Sequence, residues 1–249
     1  MKIVLETIPV WDALKKDEEC PICSLMREAE KDAVRYYLSS AIMTPEVRVE
    51  TNRYGFCPHH SLILAEGGNP QSLALTMDTY YEENEKAFAP HLASLKKAHS
   101  SFMAKKAIDG FRKAAEERER GCLVCTRMND RLYRYSFTIS ALTKEDKDFA
   151  KAFKESKGLC LHHTLKVSEV AEDALSGKDF LEFQKMLFDL LERNLKRVRQ
   201  DDWWMTQKYK SENAEKPWNG CEDAQKRAVK KLVGEARVLD PVEGKKSKI

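Results

Sequence analysis

Two stretches of the chain combine cysteine and histidine in a pattern typical of metal binding. A Cys-x-x-Cys pair is followed, after 33 or 34 intervening residues, by a Cys-x-x-His pair. The first copy contains Cys20, Cys23, Cys57 and His60, and the second contains Cys122, Cys125, Cys160 and His163. Three thiolates and one imidazole are a ligand set of structural zinc, which fills a tetrahedron and leaves no position for a substrate water. We therefore predict two structural zinc ions per chain.

The sequence does not decide which histidine is the fourth ligand of each site, because each copy has two adjacent histidines. His60 and His163 follow their cysteine by three residues, so each pair shares a face on the first turn of a helix. His59 and His162 would need a tighter Cys-x-His spacing. We favour His60 and His163, with His59 and His162 as the alternative.

Three other chemistries use the same residue types. A redox dithiol would need Cys20 and Cys23 alone, but the β-α-β pattern that surrounds such motifs is missing. A c-type haem needs histidine directly after the second cysteine, where this chain has Ser24 and Thr126. An iron–sulfur cluster fits the ligand types, although the spacing matches neither ferredoxin pattern. The sequence favours zinc, and the choice between zinc and an iron–sulfur cluster stays open.

Catalytic motifs are missing from the sequence. There is no HExxH, no phosphate-binding Walker loop, no GxGxxG and no GxSxG. We therefore expect a protein that is not an enzyme.

The elements that must position these ligands are predicted to be helices arranged as a duplication. The two copies are offset by about 102 residues, and "HHSLILAE" after the first aligns with "HHTLKVSE" after the second. Apolar residues recur at three- and four-residue steps between the ligand pairs. Thr44 with Pro45 should start the second helix of the first copy and Gly55 should end it, while Thr143 and Gly158 do so in the second.

Helix lengths suggest how each site would close. An outgoing helix of about 17 residues covers about 26 Å and a return helix of about 13 residues covers about 20 Å, so a hairpin brings its ends together. We therefore expect the four ligands of one copy to close one site at the open end of their own hairpin. Cys57 and Cys160 should then begin the next helix.

Each copy should continue into a long amphipathic helix. The first begins at Asn69-Pro70 and carries an apolar stripe that includes Leu73, Met77, Tyr80, Tyr81, Phe88, Leu92 and Leu95. Pro90 should kink or break this helix. The second begins at Ser176 and carries Phe180, Phe183, Leu187, Leu190, Leu191, Leu195 and Val198. We interpret both stripes as core.

The predicted fold is therefore all-α, a helical bundle of two tandem pseudo-symmetric repeats, each a metal-clipped helical hairpin followed by a long amphipathic helix. Residues 1–102 form the first repeat with an N-terminal segment, and 103–119 a connecting helix. Residues 120–205 form the second repeat, and 206–249 a helical extension with a basic tail. We expect one compact unit.

The composition of the chain limits the classes of partner that we expect. The chain has 249 residues, with 43 basic and 40 acidic side chains interleaved to a net charge of +3, which gives no strong field for nucleic acid or anionic lipid. There is no secretory signal at the amino end and no apolar run long enough to cross a membrane. We expect a cytoplasmic protein whose partner is another protein and which has no membrane role.

These features resemble an uncharacterised family of bacterial cytosolic proteins with a duplicated CPxC…GFCxxH arrangement. The likeness covers most of residues 18–235, and all eight predicted ligands match motif positions. Leu123 stands where the family-like form has proline. The resemblance implies the repeat layout and a bacterial source but no activity.

The function predicted from the sequence is an interaction or scaffold module with two structural Cys₃His zinc sites. Two alternatives remain. The segment "QKRAVKKLVGEAR" at 225–237 and the lysine-rich tail favour a zinc-dependent regulator that binds nucleic acid. The cysteines would also suit a thiol-based redox sensor that releases zinc when oxidised.

Overall fold

The computed structural model describes residues 6–235, and every regular element in this range is helical. The α-helices are α1 (Thr7–Leu14), α2 (Pro21–Tyr37), α3 (Pro45–Tyr54), α4 (Pro58–Glu66), α5 (Pro70–Lys96), α6 (Ser101–Arg118), α7 (Leu123–Glu145), α8 (Lys147–Glu155), α9 (Leu161–Ala174), α10 (Gly177–Lys208) and α11 (Ala224–Val233). Short 3₁₀ turns lie at Ser40–Met43 and Ser211–Asn213. The all-α prediction is confirmed. None of these helices combines the length and apolar character needed to cross a bilayer.

The chain forms two compact units that are interleaved in sequence. Among the described residues, unit 1 contains 6–29 and 129–235, and unit 2 contains 30–128. Helices α2 and α7 each run from one unit into the other. The repeat boundaries drawn from the sequence stay a prediction, and residues 236–249 of the predicted tail lie outside the described range.

Unit 1 is built on a buried apolar core. The predicted stripe of α10 is confirmed as core for Phe183, Leu187, Leu190, Leu191 and Val198, which are buried, while Phe180 and Leu195 are half-buried. Helix α8 contributes Phe149 and Phe153, which are fully buried and have stacked rings. Trp11 of α1 packs edge-on against Phe149. Burial of this apolar surface is the main stabilising contribution in unit 1.

Unit 2 buries much less of its long helix. Only Ser72 and Thr76 of α5 are buried, while Tyr81, Leu92 and Leu95 of the predicted stripe are exposed. The prediction that this stripe is core is therefore wrong for Tyr81, Leu92 and Leu95, and the other four residues of the stripe are only half-buried. Helix α5 also continues through Pro90 as one element, so the predicted break does not occur there.

The predicted helix ends are right in the first copy and partly wrong in the second. Helix α3 is preceded by Thr44, starts at Pro45 and is followed by Gly55, as predicted. In the second copy, α7 continues past Thr143 to Glu145. The cap of α8 is instead Asp146, whose carboxylate accepts hydrogen bonds from two main-chain amides.

Candidate metal centres

The eight predicted ligands lie in two buried clusters, but each cluster combines residues from both copies. Cluster 1 consists of Cys20, Cys23, Cys160 and His163 and lies in unit 1. Cluster 2 consists of Cys57, His60, Cys122 and Cys125 and lies in unit 2. The prediction that each copy closes its own site is wrong, because the Cys-x-x-Cys pair of one copy meets the Cys-x-x-His pair of the other.

The return helices are shorter than the sequence-based estimate of about 13 residues. In the first copy α2 has 17 residues and α3 has 10, so at 1.5 Å per residue the outgoing helix covers about 26 Å and the return about 15 Å. In the second copy α7 has 23 residues and α8 has 9, which gives about 35 Å against about 14 Å. In both copies the return helix is therefore shorter than the outgoing helix, and the Cys-x-x-His pair meets the Cys-x-x-Cys pair of the other copy.

Each cluster lies where two helices begin. Cys20 directly precedes α2 and Cys122 directly precedes α7, while Cys57 and Cys160 are the N-cap residues of α4 and α9. The unpaired amides and the dipole of a helix N-terminus favour negative charge nearby. The main-chain N–H of Cys125 donates to the sulfur of Cys122 at 3.5 Å. Two helix N-termini per cluster therefore stabilise thiolates in their charged, metal-binding form.

The two Cys-x-x-His segments have nearly the same backbone conformation. Cys57 has φ −70° and ψ 163°, and Cys160 has φ −68° and ψ 163°. The glycine two residues earlier has a left-handed φ in both, 60° at Gly55 and 68° at Gly158. Only glycine adopts this conformation at no steric cost, so both glycines turn the chain from the preceding helix into the ligand segment.

The donor distances fit one tetrahedral ion in each cluster. With metal–sulfur and metal–nitrogen bonds of about 2.3 and 2.05 Å, a tetrahedron places S and N about 3.6 Å apart and two S atoms about 3.8 Å apart. In cluster 2, His60 Nδ1 lies 3.2 to 3.3 Å from the three sulfurs. In cluster 1 the corresponding distances from His163 Nδ1 are 3.3 to 3.4 Å. One S–S distance in each cluster is 3.9 Å.

Without an ion, three thiols this close cannot all be ionised. Hydrogen bonds from the neighbouring sulfurs lower the pKa of Cys57, although burial opposes this. Hydrogen bonds with Cys122 and Cys57, together with burial, raise the pKa of Cys125. In cluster 1 the pKa of Cys20 is likewise lowered by its neighbours against the effect of burial, and that of Cys160 is raised to about 12, chiefly by Cys20. A divalent cation removes this conflict, because all three sulfurs can then be thiolates.

Cluster 2 has a carboxylate behind its histidine. The Glu30 carboxylate accepts a hydrogen bond from His60 Nε2 at 3.2 Å, on the side of the ring away from the sulfurs. Burial lowers the basicity of His60, but bonds to Cys122, Cys57 and Glu30 outweigh it and raise its pKa to about 11 in the metal-free chain. Burial opposes ionisation of Glu30, yet its two histidine partners lower its pKa. A carboxylate in this position fixes the ring and makes the histidine a stronger ligand.

Cluster 1 has no such support on its histidine. His163 is fully buried, and its Nε2 atom has no hydrogen-bond partner among the described residues. His59, the neighbour of His60, is exposed and also contacts Glu30. His60 in cluster 2 and His163 in cluster 1 face the sulfurs. His59 and His162 are not among the donors of these two clusters. That these donors bind metal stays a prediction.

The backbone links around the two clusters also differ. In cluster 2 the N–H of Leu123 donates to the carbonyl of Gly55 at 3.1 Å and ties the two ligand segments together. The corresponding residue in cluster 1 is Pro21, which has no N–H to donate. Lys231 of α11 instead donates to the carbonyl oxygens of Glu19 at 2.5 Å and Lys157 at 2.7 Å.

Lys231 is fully buried and contacts the chain segments that lead into cluster 1. Its ammonium also lies 3.1 Å from the Glu19 carboxylate, which Arg197 binds at 2.6 Å. Burial lowers the pKa of Lys231, and the Glu19 carboxylate works against this. Glu19 precedes Cys20, and Lys157 lies three residues before Cys160. The lysine therefore clamps both ligand segments of cluster 1 from outside.

Sequence reasoning missed these supporting residues. Glu30 lies seven residues after Cys23 on α2. A glutamate at this spacing is also common on the exposed face of a helix, so the sequence does not mark it as a contact of the cluster. Lys231 is separated from Cys160 by about 70 residues, and no local pattern marks it as buried. The seventh cysteine, Cys221, is buried and belongs to neither cluster.

A family model matches residues 1–238, so the chain belongs to the family described as "Family of unknown function (DUF6062)". This agrees with the resemblance to an uncharacterised family. No curated protein and no solved structure matches the chain.

Proposed function

We propose that this protein binds two zinc ions, one in each cluster, and that both have a structural role in a non-catalytic interaction or scaffold module of the bacterial cytoplasm. The observation that carries the proposal is the donor geometry of the two clusters. Each presents three sulfurs and one imidazole nitrogen at tetrahedral spacing, with every ligand residue buried. Four protein donors complete the coordination of zinc, so no position is left for a substrate or a reactive water.

Zinc is favoured over the other candidates by the size of the space between the donors. The distances between nitrogen and sulfur atoms allow one ion, whereas an iron–sulfur cluster spreads its protein ligands over several irons. Cys₃His sites with closed tetrahedral geometry are typical of zinc among the divalent ions. We also propose that the two copies arose by duplication, since their Cys-x-x-His segments have matching backbone angles.

The two alternatives are less well supported. A redox sensor needs accessible thiolates, whereas all six cluster cysteines are buried. A nucleic-acid regulator needs free cations on α11. Arg227 instead pairs with Asp201 and Asp223, and Lys231 is buried against Glu19. Arg227 and Lys231 are therefore paired with acidic residues of unit 1.

Metal analysis of the purified chain tests the proposal. Protein prepared without chelator should contain two zinc ions per chain, and Co²⁺ substituted for zinc should give the intense visible absorption of tetrahedral sulfur-rich coordination. A protein without bound metal, or one that contains iron with acid-labile sulfide, would contradict the proposal.

A further inference from the structure

The distal part of the α5–α6 hairpin buries almost nothing within the chain. Between residues 77 and 118 the only buried side chain is that of Ala107. Phe102 is 76% exposed, and Met103, Ile108, Leu92 and Tyr81 are also exposed. Two helices that pack only on each other cannot enclose a core, and their stability normally comes from a buried amphipathic face. The hairpin therefore has the composition of an element that another surface covers.

Helices α5 and α6 pack against each other along the hairpin through ring contacts and polar contacts. Phe88 and Phe111 pack with their ring centroids 4.8 Å apart. Nearer its base, the guanidinium of Arg118 donates to Asn84 at 2.6 Å and lies over the ring of Tyr80. These contacts hold α6 against α5 but leave the apolar residues on the flank of the hairpin uncovered.

Four apolar residues of α5 form a stripe, of which Tyr81, Leu92 and Leu95 are exposed and Phe88 is half-buried. Tyr81, Phe88, Leu92 and Leu95 follow one another at steps of seven, four and three residues. At 3.6 residues per turn these steps keep all four on one side of the helix, in the spacing of a helix–helix seam. Ile108 of α6 adds a further exposed apolar side chain to the hairpin. The stripe is suited to packing against another helix.

The charges of the hairpin are segregated along its length. Residues 78–85 carry Asp78, Glu82, Glu83 and Glu85 with no lysine or arginine. Residues 86–108 carry five lysines, at 86, 96, 97, 105 and 106, with no aspartate or glutamate. One half of the apolar stripe is therefore flanked by negative charge and the other half by positive charge.

We propose that this face binds a second copy of the chain, with two hairpins packed antiparallel as a four-helix bundle. A two-fold axis beside Phe88 places Tyr81 opposite Leu95 of the other copy. It also places the acidic residues 78–85 opposite 91–98, which contain Lys96 and Lys97. Such an interface is self-complementary, as two-fold symmetry requires. The antiparallel pairing buries the stripe and matches opposite charges at both ends.

The oligomeric state of the zinc-loaded chain tests the inference independently of the metal sites. Sedimentation equilibrium over micromolar to millimolar concentrations should give twice the chain mass. Leu92→Glu should raise the dimer dissociation constant at least about tenfold, since it places a charge in an apolar seam. Val49→Glu, a control at an exposed apolar position of α3, should leave the dimer intact. Zinc content and far-ultraviolet circular dichroism of each variant separate dissociation from unfolding.

A charge-exchange pair tests the antiparallel register. Asp78→Lys/Glu82→Lys and Lys96→Glu/Lys97→Glu should each weaken self-association, and an equimolar mixture of the two should form a heterodimer. A folded chain that stays monomeric at millimolar concentration overturns the inference, as does a dimer that all these variants leave unchanged. Monomers that adsorb to vesicles of anionic lipid through this face would also overturn it, by assigning the face to a membrane surface.

Discussion

Cluster 2 supports its histidine with a carboxylate, whereas cluster 1 leaves the outer nitrogen of its histidine without a hydrogen bond and clamps its ligand segments with a buried lysine. The ligand types and the local backbone of the Cys-x-x-His segments are the same in both. The two clusters therefore share their donor types and differ in the residues that contact them, and we expect the two proposed metal sites to differ in strength.

The units around the clusters differ in a second way. Cluster 1 lies in the unit with a buried aromatic and leucine core, and cluster 2 lies in the unit whose longest helices are largely exposed. We therefore expect unit 2 to depend on its metal more strongly than unit 1 does.

The largest effect is expected from removing one ligand of cluster 2. Structural zinc contributes about 10–16 kcal/mol to folding in zinc-finger peptides, which matches or exceeds the total stability of about 5–15 kcal/mol of an ordinary domain. Cys125→Ser should therefore unfold most of residues 30–128, seen as loss of amide protection in α3 to α6 by hydrogen exchange. Cys160→Ser should leave residual protection in α8 and α10 of unit 1. Equal loss of protection in both variants would contradict the comparison.

Lys231→Met should have the next largest effect and should act on unit 1. The change leaves two carbonyl oxygens without their donor and removes one partner of the buried Glu19 carboxylate, at a cost on the order of 3 kcal/mol. Urea unfolding should report this loss together with weaker zinc binding in cluster 1. Lys226→Met is the matched control, because Lys226 is exposed on the same helix. If both variants kept the stability of the parent chain, Lys231 would not stabilise the ligand segments of cluster 1.

Glu30→Gln should weaken cluster 2 alone. Loss of the carboxylate behind a ligating histidine typically costs about 10–100-fold in metal affinity. Competition with a chromophoric chelator should show one zinc ion released more readily and the other unchanged. Glu66→Gln, at an exposed position of α4, is the control. If both zinc ions of Glu30→Gln were released together, the carboxylate would not be specific to cluster 2.

Leu123→Pro should have the smallest effect. It gives cluster 2 the proline found at the corresponding position of cluster 1 and removes the hydrogen bond to Gly55, which is worth about 1 kcal/mol. Leu161→Pro makes the converse exchange, because Pro58 is its counterpart, and falls at the first position of α9 where proline is tolerated. Thermal unfolding should therefore show a lower midpoint for Leu123→Pro and no loss for Leu161→Pro.

Much of the local structure could be predicted from the sequence. Thr44, Pro45 and Gly55 define the ends of α3, and the cysteine spacing identifies all eight clustered residues, because caps and ligand pairs act over a few residues. The pairing between copies could not be predicted. The ligand pairs of the two copies are chemically identical, so the spacing of cysteines and histidines cannot distinguish pairing within a copy from pairing between copies.

The roles of Glu30 and Lys231, and the exposure of α5, could not be predicted from the sequence for a related reason. Glu30 and Lys231 act through tertiary contacts, and their charges indicate exposure when only neighbouring residues are considered. The stripes of α5 and α10 have similar periodicity, yet most of the α10 stripe is buried and no residue of the α5 stripe is. Periodicity predicts which side of a helix can be buried, and the surrounding elements decide whether it is.

The central claim is that each zinc site joins the two copies, and the zinc content of two double variants tests it most directly. Cys20→Ser/Cys160→Ser affects only cluster 1 and should retain one zinc ion per chain by native mass spectrometry. Cys20→Ser/Cys57→Ser affects both clusters and should retain none. The reverse result, with no zinc in the first variant and one in the second, would show that each copy closes its own site and would contradict the claim.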